Sequence, residues 1–256
     1  FKKDYFQLFP SIFMSYQLTE NDQLQLNYTR RLRRPWGGEL NSFRNTSDAS
    51  LISFGNPELT PEYSNSFSLN YLRTWREHSL LVSAYYRPTT DVMQRITYRS
   101  PADGLLYQTS FNVAKSTSTG LELTARNRLF RILNLSTSAN FYYYKLNGFA
   151  FDIDGQTVTG EGNSNFTWNA RMQASFMLPY DMSVQLTGNY NSRQSLAQGY
   201  RSPNGSVDFG FRKSFLNKQL VFSVNCRDLF NTRKRKTYTH SDTFTRNQEN
   251  WRIGRT

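Results

Sequence analysis

The residues able to do chemistry are few in this sequence, and their spacing defeats most of the chemistry they suggest. Asp152-Ile153-Asp154-Gly155 begins like a calcium loop, where side-chain oxygens at alternate positions converge on one ion. Position 156, where Asp or Asn is needed, holds Gln156, and a solvated Asp-Gly turn is the simpler reading. Gly160-Glu161-Gly162 opens like a dinucleotide loop, but Asn165 stands where the third glycine belongs and no helix follows. His240-Ser241-Asp242 has the residue types of a hydrolytic triad as sequence neighbours, whereas a triad assembles from separated segments. Ser195 lacks the flanking glycines of a nucleophile elbow. His78 and His240 make no pair, and the single Cys226 forms no internal disulfide and no zinc-type spacing. The expectation is a non-enzyme with no metal and no cofactor.

What remains is charge placed at alternate positions. From Phe166 onward, Phe166, Trp168, Ala170, Met172, Ala174 and Phe176 fall on one face of an extended chain, and Thr167, Asn169, Arg171, Gln173 and Ser175 on the other. Glu122 and Arg126 likewise oppose Leu121, Leu123 and Ala125. A charge facing lipid at mid-bilayer costs about 2 to 4 kcal/mol, so Glu122, Arg126 and Arg171 are expected to face a water-filled lumen. The same alternation recurs in Gln23-Leu24-Gln25-Leu26-Asn27-Tyr28-Thr29, in Ser66-Phe67-Ser68-Leu69-Asn70-Tyr71 and in Met182 to Tyr190.

Composition fits strands with one oily and one wet face. Hydrophobic residues make up 38% of the 256 residues and mean hydropathy is -0.66. No apolar run approaches the roughly 20 residues of a membrane helix. Aromatics reach 16%, with 20 Phe, 16 Tyr and 4 Trp, as the girdles of a membrane barrel require; an aromatic-rich soluble sandwich remains open on composition alone. The formal charge of +12 has only one dense run, Arg233-Lys234-Arg235-Lys236, which reads as a solvated loop or as contact with an anionic membrane surface rather than with nucleic acid.

The periodicity predicts paired strands over 5–18 and 23–33, 62–74 and 79–99, 107–128 and 132–146, 164–178 and 182–193, and 205–215 and 219–229. Short turns close each pair. Long loops cover about 34–60, the stretch around 101–104, 147–163, 194–204 and 230–247, and residues 251–256 begin a further strand. Most strands exceed the 9 to 11 residues needed to cross lipid and the 5 or 6 typical of a soluble sandwich. The expected fold is all-β: a transmembrane, antiparallel, up-and-down barrel.

Within that frame Gly55-Asn56-Pro57-Glu58-Leu59-Thr60-Pro61-Glu62 resembles the segment that leads from an outer loop into a strand in TonB-dependent outer-membrane receptors. Its prolines suit an extended entry and would break a central strand. Val207 to Phe215 resembles a late barrel strand of that family. Asp228-Leu229-Phe230-Asn231 resembles the end of its penultimate strand, and Arg252-Ile253-Gly254-Arg255 the start of its closing strand. The resemblance spans nearly the whole chain and is closest to the receptor-like barrels common in Bacteroidota.

The resemblance implies a complete barrel of 22 strands around an N-terminal plug. Residues 1–256 would then be the C-terminal portion of a single barrel domain, a fragment holding 10 or 11 strands without the plug. It implies a bacterial outer-membrane location and energy-coupled uptake of a large ligand such as a siderophore, glycan or peptide. The implied partners are outer-membrane lipid and lipopolysaccharide, TonB through the missing plug region, and a possible surface lipoprotein. Ligand capture would fall to the outer loops, where Trp36, Arg44, Asn45, Tyr200 and Arg201 are the candidate contacts: rings to stack, guanidiniums to pair with anions. A plugless porin-like channel or scaffold barrel, and a secreted sugar-binding β protein, are the alternatives.

Overall fold

The computed structural model describes residues 7–48, 50–153, 156–160, 162–241 and 244–251. In chain order the elements are β1 (Ser11–Gln17), β2 (Asp22–Arg33), the helical turn α1 (Gly37–Leu40), β3 (Asn45–Asp48), β4 (Leu51–Ser53), β5 (Glu62–Trp75), β6 (His78–Arg99), β7 (Leu106–Leu129), β8 (Leu133–Leu146), β9 (Phe149–Ile153) and β10 (Gln156–Gly160). They continue as β11 (Asn163–Leu178), β12 (Met182–Asn191), β13 (Gln194–Leu196), β14 (Gly199–Arg201), β15 (Asn204–Phe215), β16 (Leu220–Cys226), β17 (Lys234–Ser241) and β18 (Phe244–Trp251). No helix among the described residues is long and apolar enough to cross a membrane.

Ten strands form one antiparallel meander in the order β1-β2-β5-β6-β7-β8-β11-β12-β15-β16. Its register lines up residues of one kind across the sheet. Met14, Leu26, Leu69, Ala84, Leu121, Phe141 and Trp168 pair in succession from β1 to β11. The adjacent row reads Ser15, Gln25, Asn70, Ser83, Glu122, Asn140 and Asn169. A slip of one residue in any strand would exchange the faces of all its side chains, so two rows of opposite character fix the register strongly. One step further toward the long loops, Tyr28, Phe67, Tyr86, Tyr143 and Phe166 lie in one row on the apolar face. Tyr28 and Phe67 have ring centroids 4.8 Å apart, and Phe67 and Tyr86 6.4 Å.

Among the described residues that apolar face has no protein cover: Leu26, Leu69, Leu121, Phe166 and Met172 are all exposed. The best-buried apolar cluster lies elsewhere, beyond the aromatic row. There β6 and β7 project past their neighbours, and Ile96, Tyr98 and Tyr107 pack against Phe149, Ile153 and Val158 of the β9-β10 hairpin. The molecule therefore buries its core at one end and leaves its mid-height apolar belt open, the reverse of a soluble sandwich.

Several strands differ from the sequence expectation. The first begins at Ser11 rather than residue 5, after Pro10, which lacks an N–H for the ladder; residues 5 and 6 lie outside the described residues. The segments 147–163, 194–204 and 230–247 are largely strand: a separate hairpin in the first, and in the others β13, β14, β17 and part of β18, which form a second sheet in that order. Their Gly, Asn and charged residues read as loop, but each strand is stabilised by the strand beside it, a context that local composition does not carry. In the short turns, Phe130, Arg131, Tyr180 and Asp181 adopt φ of 51 to 62°, the left-handed geometry a tight hairpin needs.

Candidate functional site

Above the aromatic row the loops are bolted to the strands by polar side chains. Glu62 accepts from the Arg33 guanidinium at 3.0 Å and from the Met93 backbone N–H at 2.6 Å. Asn56 donates from Nδ2 to the Ser110 carbonyl at 3.1 Å, while its Oδ1 accepts the Glu58 N–H at 2.9 Å. Asn112 accepts the Thr60 N–H at 2.8 Å and donates to the Thr60 carbonyl at 2.9 Å. Leu59 between them is only 3% exposed. Pro57 and Pro61, which have no N–H to satisfy, sit where the chain cannot be laddered. The Asn56–Glu62 segment is thus a clamp that fastens the loop after β2 onto β7.

A second clamp holds the strand leading to the smaller sheet. Asp228 (φ 53°) accepts the backbone N–H groups of Thr232 at 2.9 Å and Arg233 at 3.0 Å. Burial pushes its carboxyl up, but these hydrogen bonds, with the Thr232 hydroxyl and the Arg233 charge, outweigh it and hold it below the usual value. The Leu229 N–H reaches the Val207 carbonyl at 2.7 Å, Phe230 is exposed, and Asn231 (φ 54°) closes back on the Asp228 carbonyl at 2.8 Å. The segment bends the chain between β16 and β17.

Two adjoining cavities share part of their lining. The larger, about 630 Å³, is lined by Trp36, Arg44 and Asn45 together with Arg95, Gln108 and Ser110. The Trp36 ring lies over Gly38, where a Cβ would meet it at 2.0 Å, so only glycine permits that ring position. Arg44 stacks over the Tyr107 ring at 5.4 Å. Asn45 opens β3 and accepts the Ser47 N–H at 2.9 Å. The second cavity, about 400 Å³, shares Arg95, Gln108 and Ser110 and adds Arg201, Arg235 and Arg246. Burial first, and the Arg235 charge second, pull the Arg201 guanidinium below its ordinary value.

Four of the five candidate contacts therefore meet around this pair of cavities, and one does not. Tyr200 neighbours Arg201 on β14, so it points to the opposite face. There it stacks on Tyr238 at 4.8 Å and lies under the Arg193 guanidinium at 3.5 Å. Sequence reasoning missed Arg95, Arg235 and Arg246. The signal for Arg235 is alternation inside the basic run. Within β17, Lys236 pairs with Glu249 at 3.2 Å, while its neighbours Arg235 and Thr237 line the cavity.

Lower on the sheet, Glu122 is in register with Ser83 and Asn140, Arg126 with Ser79 and Ser136, and Arg171 with Ser138 and Asn189. All three charges lie on the polar face. Tyr85 reaches across Gly120 on that face to donate to Asn140 Oδ1 at 3.0 Å; a Cβ on Gly120 would approach the Tyr85 hydroxyl to 2.8 Å and the Phe141 carbonyl to 2.6 Å. Among the described residues no group of three or more His, Cys, Asp or Glu could hold a metal. His78 bonds Asn127 and His240 bonds Thr245, each at 3.1 Å. Asp154, Gly155, Glu161, Asp242 and Arg252 to Arg255 lie outside the described residues.

Solved structures of similar fold are transport proteins of far greater length. The siderophore receptor PirA from Pseudomonas aeruginosa superposes with a TM-score of 0.60 at 14% identity, over 88% of this chain and 39% of that one. The ferric yersiniabactin uptake receptor FyuA from Yersinia pestis gives 0.60 at 15%, over 95% and 35%. The FrpB iron transporter from Neisseria meningitidis gives 0.53 at 12%, over 96% and 37%. The chain thus spans little more than a third of each. No curated protein matches it in sequence. The model of one family covers residues 1–255, which explains the uncovered apolar belt as a lipid-facing surface in the bacterial outer membrane. The chain belongs to the outer membrane protein beta-barrel family.

Proposed function

We propose that this chain forms part of the wall and the outer mouth of a TonB-dependent receptor that takes up a large ligand such as a siderophore, glycan or peptide. On this reading residues 1–256 are the C-terminal portion of one barrel of 22 strands. A plug supplied by the rest of the protein contacts TonB, and lipopolysaccharide surrounds the outer rim. A surface lipoprotein is a further partner on this reading. Glu122, Arg126 and Arg171 line the lumen below the mouth.

The observation that carries the reading is the pair of adjoining polar cavities among the long loops, on the same side of the aromatic row. Ligand sites are concave and carry a few placed polar groups, and energy-coupled uptake of a scarce ligand begins by holding it in such a site. The test is growth of the native bacterium on a panel of iron chelates, oligosaccharides and peptides as sole sources. A strain lacking this gene and a strain lacking TonB activity should share the same ligand-specific defect. A defect in the first that the second does not show would point to a passive channel.

A further inference from the structure

We infer that the second cavity, walled by Arg95, Arg201, Arg235 and Arg246, is a subsite for a multiply anionic group, a polycarboxylate or a phosphate. The inference rests on the receptor reading and narrows its ligand class.

Charge is the first argument. Among the described residues, four guanidiniums line about 400 Å³ against a single carboxylate, Glu39. Glu39 is already engaged, accepting from Arg33 at 3.0 Å and from the Trp36 backbone N–H at 3.1 Å. Arg246 is tied to Asp48 at 2.6 Å, at the rim. Arg95, Arg201 and Arg235 have no carboxylate within 4.0 Å among the described residues. Like charges gathered in a partly enclosed space repel one another, and an anion relieves that repulsion.

The second argument is an unmet donor. Arg201 gives one Nη1 bond to Gln194 Oε1 at 3.1 Å, but its Nε is buried with no hydrogen-bond partner. A buried N–H left unpaired is costly, and a small rotation of the guanidinium onto a carboxylate or phosphate held in the cavity would satisfy it in the strong bidentate form.

The third argument is what the cavity lacks. No aromatic ring lines it among the described residues; Tyr200 and Tyr238, the nearest rings on the same strands, stack together on the far face. Stacking on a sugar ring is therefore not available here. Thr237, Thr239, Gln248 and Asn250 add only small polar groups. The walls come from separate elements, β6, β14, β17 and β18, so the cluster exists only when the two sheets are brought together.

The test uses the full-length gene product that carries this chain, purified in detergent and titrated calorimetrically with tricarballylate and with inorganic pyrophosphate. Maltohexaose serves as the neutral probe. At least one anion should bind, and the double variant Arg201→Gln/Arg235→Gln should weaken it by about tenfold or more, the loss expected for removed charge-assisted hydrogen bonds. Heat-modifiable migration on gels reports whether that variant folds. The exposed Arg95→Gln, which disturbs no packing, should weaken binding severalfold on its own. Adding lipid A separates the two sources: displacement of the probe assigns the subsite to a membrane phosphate, and no displacement to a free ligand. Anion binding unchanged in both variants, or maltohexaose binding with no anion binding, overturns the inference. Its failure is distinct from failure of the receptor reading. A TonB-dependent growth defect for a neutral ligand sinks only the anion subsite, and an anion that binds but passes without TonB sinks only the coupled transport.

Discussion

The Gln198 carboxamide occupies both backbone hydrogen-bonding positions of Thr97: it accepts the Thr97 N–H at 2.8 Å and donates to the Thr97 carbonyl at 3.0 Å. The two residues are 101 positions apart in sequence. The cause lies in strand lengths. β5 begins only at Glu62, so β6 rises above its neighbour with a bare edge, and an unpaired edge needs a partner. Glu62 caps that edge at Met93 and Gln198 caps it at Thr97. The second bond draws the β13-β14 turn against β6 and forms one wall of the arginine cavity.

Gln198→Ala leaves both groups of Thr97, a residue 2% exposed, without partners. Such a loss costs about 1 to 3 kcal/mol. The Thr97 amide should then exchange its hydrogen roughly 5- to 150-fold faster if local opening governs exchange. Hydrogen–deuterium exchange on the full-length protein checks this, and an unchanged rate would show that the clip holds nothing.

The two rows of the main sheet make opposite predictions for adjacent residues. Leu121→Arg puts a charge on the lipid face and should destabilise the protein by about 2 to 4 kcal/mol at mid-bilayer. Glu122→Gln changes a residue whose cross-strand neighbours are Ser83 and Asn140 and should shift stability by well under 1 kcal/mol, the usual range of a surface change. Reversible denaturant unfolding in phospholipid vesicles measures both.

The Asp48–Arg246 contact should respond to acid in one direction only. Hydrogen bonds from the Ser50 hydroxyl and N–H, and then the Arg246 charge, hold the Asp48 carboxyl below its ordinary value against the opposing effect of burial. A carboxyl whose folded value is depressed stabilises the folded contact above its unfolded value, near pH 4, and loses that contribution as pH falls through the folded one. Spin labels at Ser47→Cys and Asn247→Cys, with Cys226→Ser to remove the native thiol, should keep a constant separation from pH 7 to 5. The separation should broaden only below about pH 4. A change between pH 7 and 5 would contradict this assignment.

The membrane part of the fold was legible in the sequence because lipid on one side and water on the other impose a period of two, and Arg171 beside Met172 reports it without any tertiary knowledge. Asn56 to Glu62 was legible as a strand entry from its prolines, though not as a clamp, since the partners Met93, Ser110 and Asn112 lie more than 30 residues away. Above the membrane the governing interactions are between distant loops. Arg95 sits after a register shift between Thr89 and Met93, which breaks the alternation that would have assigned its face. Tyr200 and Arg201 looked equivalent as loop residues; once 199–201 is a strand, they must point apart.

The most direct measurement is thiol labelling of intact cells with a bulky, membrane-impermeant maleimide, comparing Arg171→Cys with Met172→Cys on a Cys226→Ser background. If the polar face lines a plugged, energy-gated pathway, Arg171→Cys is labelled in energised cells and protected when a protonophore is added, while Met172→Cys stays unlabelled in lipid throughout. Labelling of Arg171→Cys that is indifferent to the protonophore would mean a permanently open pore. Labelling at both positions alike would mean that the two faces of this sheet do not separate lipid from water.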